Sequence, residues 1–395
     1  MEYFVSDRLA SNKVHRNNNK KKIVLFTDWY EPGFKAGGPI RSSVNFAANM
    51  KNDYDIYVFT GDRDSGDGQP YANIDRDCWM DKEGIRVFYA SLSFLRWKNI
   101  LHIIQEVQPD FVYLNNMYSR YFTIYPLLMK RLGCIKAQIV LAPRGMLKAT
   151  AVQYKTSKKK IFFRLLKWLN IPAKTIFHAT DATEVEDIKR RLGKELSIVQ
   201  ISNFLSEQRD RYPINKSKGN LRIIFISRIH PIKNLLFLLQ CLPTVAGEMM
   251  LTIVATIEDE KYWSECQKAI KNLPETVQVE LKQNVPHHEI EELINNHHLF
   301  VLPTQGENFG HAILEALLAG RPVLISDQTP LKGLEKQHAG WDLPLSDQAA
   351  FIKVLQEVAD MDNETFQQWS MGAWNYAKGF SDSSGLKEKY RELFS

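Results

Sequence analysis

The run Leu299-Phe-Val-Leu-Pro303-Thr-Gln-Gly-Glu307-Asn308-Phe309-Gly310-His311-Ala-Ile-Leu-Glu315-Ala-Leu317 reads as a buried strand, a short polar loop and an apolar helix. A short, unbroken apolar run that ends at Pro303 suits a strand covered on both faces, as in a parallel sheet. Gly310 would let a ligand approach the backbone closely, and Ala312, Ile313, Leu314, Ala316 and Leu317 make the helix apolar nearly all round. A strand running directly into a helix is half of a βαβ unit, and the free N–H groups at the start of the helix attract anions.

The same alternation extends in both directions. Upstream, strand-like runs begin at Lys22-Ile-Val-Leu-Phe-Thr27 and recur at 55–60, 85–89, 110–115, 138–142, 175–179 and 197–201. Helical spacing lies between them, and 61–81 reads as a long polar loop. After a polar stretch with Pro213 and Gly219 the pattern restarts at Leu221-Arg-Ile-Ile-Phe-Ile226. Strands at 250–255, 277–281, 299–302 and 322–326 follow. The fold class is therefore α/β, with two doubly wound, Rossmann-like domains facing each other across a cleft. The expected divisions are a disordered basic tail at 1–21, a first domain at 22–206, a linker at 207–220, a second domain at 221–375, and a C-terminal helix at 376–395 free to pack back on the first domain.

Glu307 lies in the loop before the helix, and Glu315 sits two turns along on nearly the same face. Two carboxylates beside an anion-binding turn suit sugar hydroxyls, since charged acceptors make strong hydrogen bonds. Glu315 is the harder of the two to read as decoration, because a carboxylate among apolar neighbours costs several kcal/mol unless partnered. A second strand-to-helix junction, Ser227-Arg228-Ile-His230-Pro231-Ile-Lys233-Asn234, offers two cations for a diphosphate.

Arg228-x4-Lys233 followed by Glu307-x7-Glu315 resembles the retaining family 4 glycosyltransferases of the GT-B fold. The likeness runs on through Gly320-Arg-Pro-Val-Leu-Ile-Ser326-Asp327, and reaches the first half in Gly37-Gly38, Pro143-Arg-Gly-Met146 and Phe177-His178-Ala-Thr180. It implies that Arg228, Lys233 and Glu307 are catalytic, with Arg228 and Lys233 neutralising a departing nucleoside diphosphate and Glu307 contacting the donor sugar. It implies that Glu315 holds the ribose hydroxyls. Asn308, Phe309, Gly310, His311, Gly37 and Gly38 complete the donor site. Arg144, His178 and Asn116 are expected on the acceptor side. Three motifs depart from the family: Asn115-Asn116-Met117-Tyr118 stands where a His is frequent, Ser202-Asn203-Phe204 replaces Pro-Asn-Gly, and Ala255-Thr256 replaces a glycine-rich turn.

No metal and no cofactor are expected, since Arg228 and Lys233 can supply the positive charge. Asp62-Arg-Asp64 and Asp75-Arg-Asp77 look like metal-binding acid pairs but read as solvated loop residues. His287-His288 and His297-His298 lack zinc spacing and read as surface or packing residues. Cys78, Cys134, Cys241 and Cys266 form no CxxC pair, as in reduced cytosolic proteins.

The net charge of +6 suits anionic small partners but not nucleic acid. No stretch has the length of a membrane span, so a cytoplasmic location is expected. The basic and aromatic segment 155–170 has two readings: a solvated helix with one buried face, or a peripheral contact with an anionic membrane. The expected function is transfer of a sugar from a nucleoside diphosphate donor to a hydroxyl of a glycan or lipid-linked acceptor, with retention. The alternatives are a nucleotide-sugar 2-epimerase of the same fold and a non-catalytic nucleotide-sugar-binding protein.

Overall fold

The computed structural model describes residues 20–148, 156–206, 211–381 and 385–395. Nearly all of the expected tail, the start of the segment 155–170 and the start of the linker lie outside the described residues.

The first sheet has the order β3-β4-β2-β1-β5-β6-β7-β8. Its strands are β1 (Lys22–Phe26), β2 (Asp55–Gly61), β3 (Trp79–Lys82), β4 (Ile85–Ala90), β5 (Phe111–Leu114), β6 (Gln138–Leu141), β7 (Thr175–Ala179) and β8 (Ile198–Gln200). All pairings are parallel except β3 with β4. The alternation of side chains along β1 divides the core. Val24 and Phe26 face one cluster and Ile23 and Leu25 the other, and all four are fully buried.

The second sheet has the order β11-β10-β9-β12-β13-β14 and is parallel throughout. It comprises β9 (Asn220–Ile226), β10 (Glu248–Ala255), β11 (Val277–Gln283), β12 (Leu299–Leu302), β13 (Val323–Ser326) and β14 (Gly340–Leu343). Two strands escaped the pattern. β3 begins within the end of the stretch read as loop and runs one residue past it, because an antiparallel edge strand is half exposed and lacks an apolar run. β14 carries only Trp341 and Leu343 as large apolar residues.

The chain crosses between the domains twice. Residue 376, expected as a boundary, falls inside the helix Asn363–Ser381. The helix Leu386–Leu393 then inserts Tyr390 and Leu393, with Phe394 just beyond it, into the core that holds Phe46 and Tyr113. Tyr390 Oη donates to Ser202 O at 3.2 Å, and Arg391 pairs with Asp53 at 2.9 Å.

Arg321 of the Gly320-Arg-Pro motif is wholly buried. It donates to Tyr212 O at 2.7 Å, Asn295 O at 2.9 Å and Ile294 O at 3.2 Å. It thereby caps the helix His287–Asn295 and ties down the crossing segment. No helix among the described residues is long and apolar enough to cross a membrane.

Asp62 and Asp64, expected in solvent, are buried. Asp62 pairs with Arg63 at 2.9 Å and Arg76 at 3.5 Å. Asp64 accepts from Phe34 N at 2.7 Å and Lys35 N at 3.1 Å, so it braces the loop that leads to Gly37.

Candidate active site

Several helices begin with side-chain caps. Asp181 accepts from Glu184 N, Asp259 from Tyr262 N and Asp347 from Ala350 N. The helices Gly38–Met50 and His311–Leu318 begin instead at Gly37 and Gly310, with φ of 65° and 83° and no side-chain cap. A side chain is disfavoured at both positions, and no side-chain cap covers either helix start; at the first, Pro39 has no N–H and Ile40 N already donates to Gly37 O at 3.0 Å. The two helix starts meet: a Cβ on Gly38 would lie 3.5 Å from the His311 ring, and one on Gly145 would lie 2.8 Å from Asn308 Oδ1. The glycines thus let the two domains approach one another.

Further contacts join the two walls. Lys148 Nζ donates to Glu307 O at 2.8 Å, and Asn308 Nδ2 donates to Thr180 Oγ1 at 3.2 Å. Glu184 is fully buried and holds the loops that carry these groups. It accepts from Gly145 N at 2.5 Å, and from Thr180 N and Oγ1 at 2.8 Å each.

Glu307 accepts from Lys233 Nζ at 2.7 Å and from Asn308 N at 3.1 Å. Burial alone would raise its pKa; the Lys233 charge and hydrogen bond more than offset that and hold the carboxyl below its ordinary value. Lys233 ends a 3-10 turn, Pro231–Lys233, that leads through Asn234 directly into the helix Leu235–Cys241, so the cation stands at a helix N-terminus as the strand-to-helix junction predicts.

Glu315 is approached from three parts of the chain. His287 Nε2 lies 3.1 Å from its Oε1, Ser206 Oγ donates to the same oxygen at 3.5 Å, and Arg41 Nε lies 3.9 Å away. Here too burial is outweighed, by His287 and then Arg41, and the carboxyl stays ionised.

Arg228 is not drawn into this group. Its guanidinium pairs with Glu258 at 2.7 Å, and both side chains are nearly half exposed. Such a pair is weak and open to displacement by an arriving anion.

Among the described residues, three buried polar atoms beside these carboxylates have no hydrogen-bond partner: Arg41 Nε, Asn308 Oδ1 and His311 Nε2. Hydroxyls or phosphate oxygens arriving here could take hydrogen bonds from or give them to these atoms. Burial pushes the His311 pKa down to about 4, leaving a neutral ring. Phe309 contributes its ring to the core, 4.6 Å from the His311 ring.

The acceptor-side expectations need correction. His178 is fully buried; it bonds Tyr113 Oη at 2.7 Å and Ile201 O at 2.8 Å. Both ring nitrogens are therefore taken, burial drives the pKa to about 3, and the residue is a core histidine. Arg144, with φ of 54°, turns inward. It donates to Tyr113 Oη at 2.7 Å, and also to Asn115 and Asn203. Its hydrogen-bonding groups tie strand ends together and none of these bonds reaches the cleft.

Asn116 donates to Asp28 at 2.6 Å and accepts from Tyr118 N at 2.9 Å. Ser119 adds a 2.7 Å bond to Asp28, whose pKa is raised by burial.

Sequence reasoning missed Arg41, Lys148, Glu184, Ser206 and His287. Only Glu184 had a local signal, three residues after the helix cap Asp181.

Residues 206–373 match the family model described as Glycosyl transferases group 1. A search of curated proteins finds no sequence match. Sucrose-phosphate synthase from Thermosynechococcus elongatus superposes with a TM-score of 0.67 at 13% identity, over 95% of this chain and 99% of that one. HepE from Anabaena, in complex with UDP and glucose, gives 0.66 at 14% identity over 94% and 99%. WaaG, a glycosyltransferase involved in lipopolysaccharide biosynthesis, gives 0.65 at 14% identity over 94% and 99%. At these identities the likeness is one of fold. Residues 206–373 therefore form a glycosyl transferases group 1 domain, set in a two-domain chain with the GT-B fold.

Proposed function

We propose that this chain is a glycosyltransferase that moves a sugar from a nucleoside diphosphate donor to a hydroxyl acceptor with retention at the anomeric carbon. The observation that carries the proposal is the Lys233–Glu307 pair, 2.7 Å long, at the mouth of an uncapped helix and beside three unsatisfied buried polar atoms. Lys233 holds the diphosphate as its bond to the sugar breaks, and Arg228 swings from Glu258 to join it. Glu307 takes sugar hydroxyls, and Glu315 the ribose hydroxyls. His311 and Asn308 complete the hydrogen bonds.

The nearest carboxylates are already committed to ion pairs, which disfavours a covalent nucleophile. Departure and attack on one face, with the leaving phosphate accepting the acceptor's proton, then accounts for retention. The two cations supply the positive charge, so the reaction needs no metal in this reading.

The solved HepE structure contains UDP and glucose, which makes UDP-sugars the first donors to try. WaaG's role supports a cell-surface glycan or lipid-linked acceptor. The test is a thermal-shift screen of UDP-, GDP- and ADP-sugars, followed by NMR of the stabilising donor with and without glycan acceptors. Acceptor-dependent release of nucleoside diphosphate supports transfer. Conversion of donor alone to an epimer, or binding with no turnover under any condition, would sink it.

A further inference from the structure

The modest net charge conceals an uneven distribution. Between Asp110 and Asp181 there is no Asp or Glu, while the same stretch holds thirteen Lys and Arg. The rest of the chain is therefore net acidic.

This basic block contains the amphipathic helix Thr156–Trp168. Phe163 and Leu166 bury one side of it in the first domain's core. On the other side Ile161, Leu165 and Trp168 are 64%, 48% and 80% exposed. Their i, i+4, i+7 spacing puts them in one stripe, flanked by exposed Arg164 and Lys167. Arg131 Nε donates to Leu169 O at 2.6 Å, which brings the turn bearing Leu132, itself 68% exposed, alongside the end of this helix. Four of the eight large hydrophobic residues exposed among the described residues thus belong to two neighbouring elements. An apolar cluster of this kind marks an interaction surface rather than chance exposure.

We propose that this face docks on an anionic lipid bilayer. Ile161, Leu165 and Trp168 enter the headgroup boundary, and the surrounding Lys and Arg lie against anionic headgroups. The chemistry selects a membrane over other acidic partners. A nucleic acid would use the charge but gain nothing from Ile161, Leu132 or Leu165, whereas a lipid surface uses both features, and Trp prefers the interface between water and acyl chains.

The position is also apt. Phe162 packs 5.5 Å from the Tyr118 ring, and Tyr118 Oη donates to Met146 O at 3.2 Å, next to the Gly145 that touches Asn308. Docking would therefore set the cleft beside the bilayer. That lipid-linked acceptors enter from there rests on the transferase reading; the docking itself does not.

The experiment is flotation of the full chain with vesicles of phosphatidylcholine alone and of phosphatidylcholine mixed with phosphatidylglycerol, at low and high salt. Binding to the anionic vesicles, weakened by salt, is expected. Ile161→Ser with Leu165→Ser and Trp168→Ser should reduce it about tenfold or more. Arg164→Gln with Lys167→Gln should reduce it by roughly fivefold per charge. All five positions are exposed, and melting curves check that the variants fold. Equal recovery with neutral and anionic vesicles, or a serine variant that floats like the parent, overturns the proposal. So does tight single-stranded RNA binding that survives the serine substitutions in a protein that does not float. Nucleoside diphosphate release measured without vesicles tests the transferase reading separately, so either idea can fail alone.

Discussion

The two walls of the cleft treat the same raw material in opposite ways. Each is made of polar residues that follow buried strands. On the wall from the second domain, Glu307 has a close ion pair with Lys233 and Glu315 is held by His287 at 3.1 Å, but Asn308 Oδ1 and His311 Nε2 are buried with no hydrogen-bond partner among the described residues. On the wall from the first, Asn115, Arg144 and His178 satisfy one another and the backbone beneath them. A polar residue at a strand end is thus no signature of a site. What separates the two cases is whether its hydrogen-bonding groups are already committed, because a committed group must break a bond before it can take a ligand.

The largest effect that would sharpen this contrast is on turnover. Glu307→Ala should lower kcat by roughly a thousandfold, as expected for a preorganised polar contact made at the reacting centre. Its melting temperature should fall, because Lys233 loses its partner, so kcat is read at a temperature where the variant is folded. Near-normal kinetics in that variant would remove Glu307 from the site.

Next in size is a loss of stability without a loss of chemistry. Arg144→Met strands Tyr113, Asn115 and Asn203, and should destabilise the fold by about 3 kcal/mol. The kcat/KM of the folded fraction, measured at low temperature, should stay within a few-fold. A large drop in kcat there would return Arg144 to the active site and break the comparison.

A smaller effect concerns the residues that orient Glu315. His287→Ala and Arg41→Ala should each raise the KM for donor about tenfold, the equivalent of one hydrogen bond to a charged group, with kcat nearly unchanged. His287→Gln keeps a donor and should recover most of the affinity. If both alanine variants instead lower kcat at constant KM, the contacts act on the reaction and not on nucleotide binding.

The last effect is gradual and distributed. His178 and His298 have pKa values near 3 and His311 near 4, each depressed first by burial from an ordinary 6.5. Between those limits the unfolded chain binds more protons than the folded one, so stability rises with pH across that window. Each histidine should cost up to about 1.4 kcal/mol per pH unit as the solution is acidified below 6.5. Glu307 and Glu315, held below their ordinary 4.5, act in the same direction, but their contribution is lost only as pH falls below that value. Denaturant titrations at pH 7, 6 and 5 check this; a flat profile would mean that the histidines are not held neutral.

The contrast also explains what could be read in advance. Glu307 and Glu315 stood out because their neighbours show a local period, strand then helix, and an acid interrupts it. His178 and Arg144 gave a similar local signal and were misplaced, since nothing nearby in the chain says that Tyr113 and Ile201 wait to receive them. His287 was set aside as a surface or packing residue, although its ring meets Glu315, 28 residues away. Ser206, 109 residues from Glu315, carries no signal in its own stretch of sequence. Asp62 and Asp64 look solvated because their loop is polar, yet Asp62 pairs with Arg63 and Arg76, Asp64 accepts from Phe34 N and Lys35 N, and both are buried.

Taken alone, the order of residues determined the two α/β halves, the strand-to-helix turns and the charge carried by each turn, because these follow from hydrophobic period and backbone freedom over a few residues. Tertiary structure alone decided which polar groups are spent inside the protein and which remain open to a ligand. That choice depends on distances between segments far apart in the chain, and a sequence pattern carries no measure of them until the sheets have formed and the domains have met.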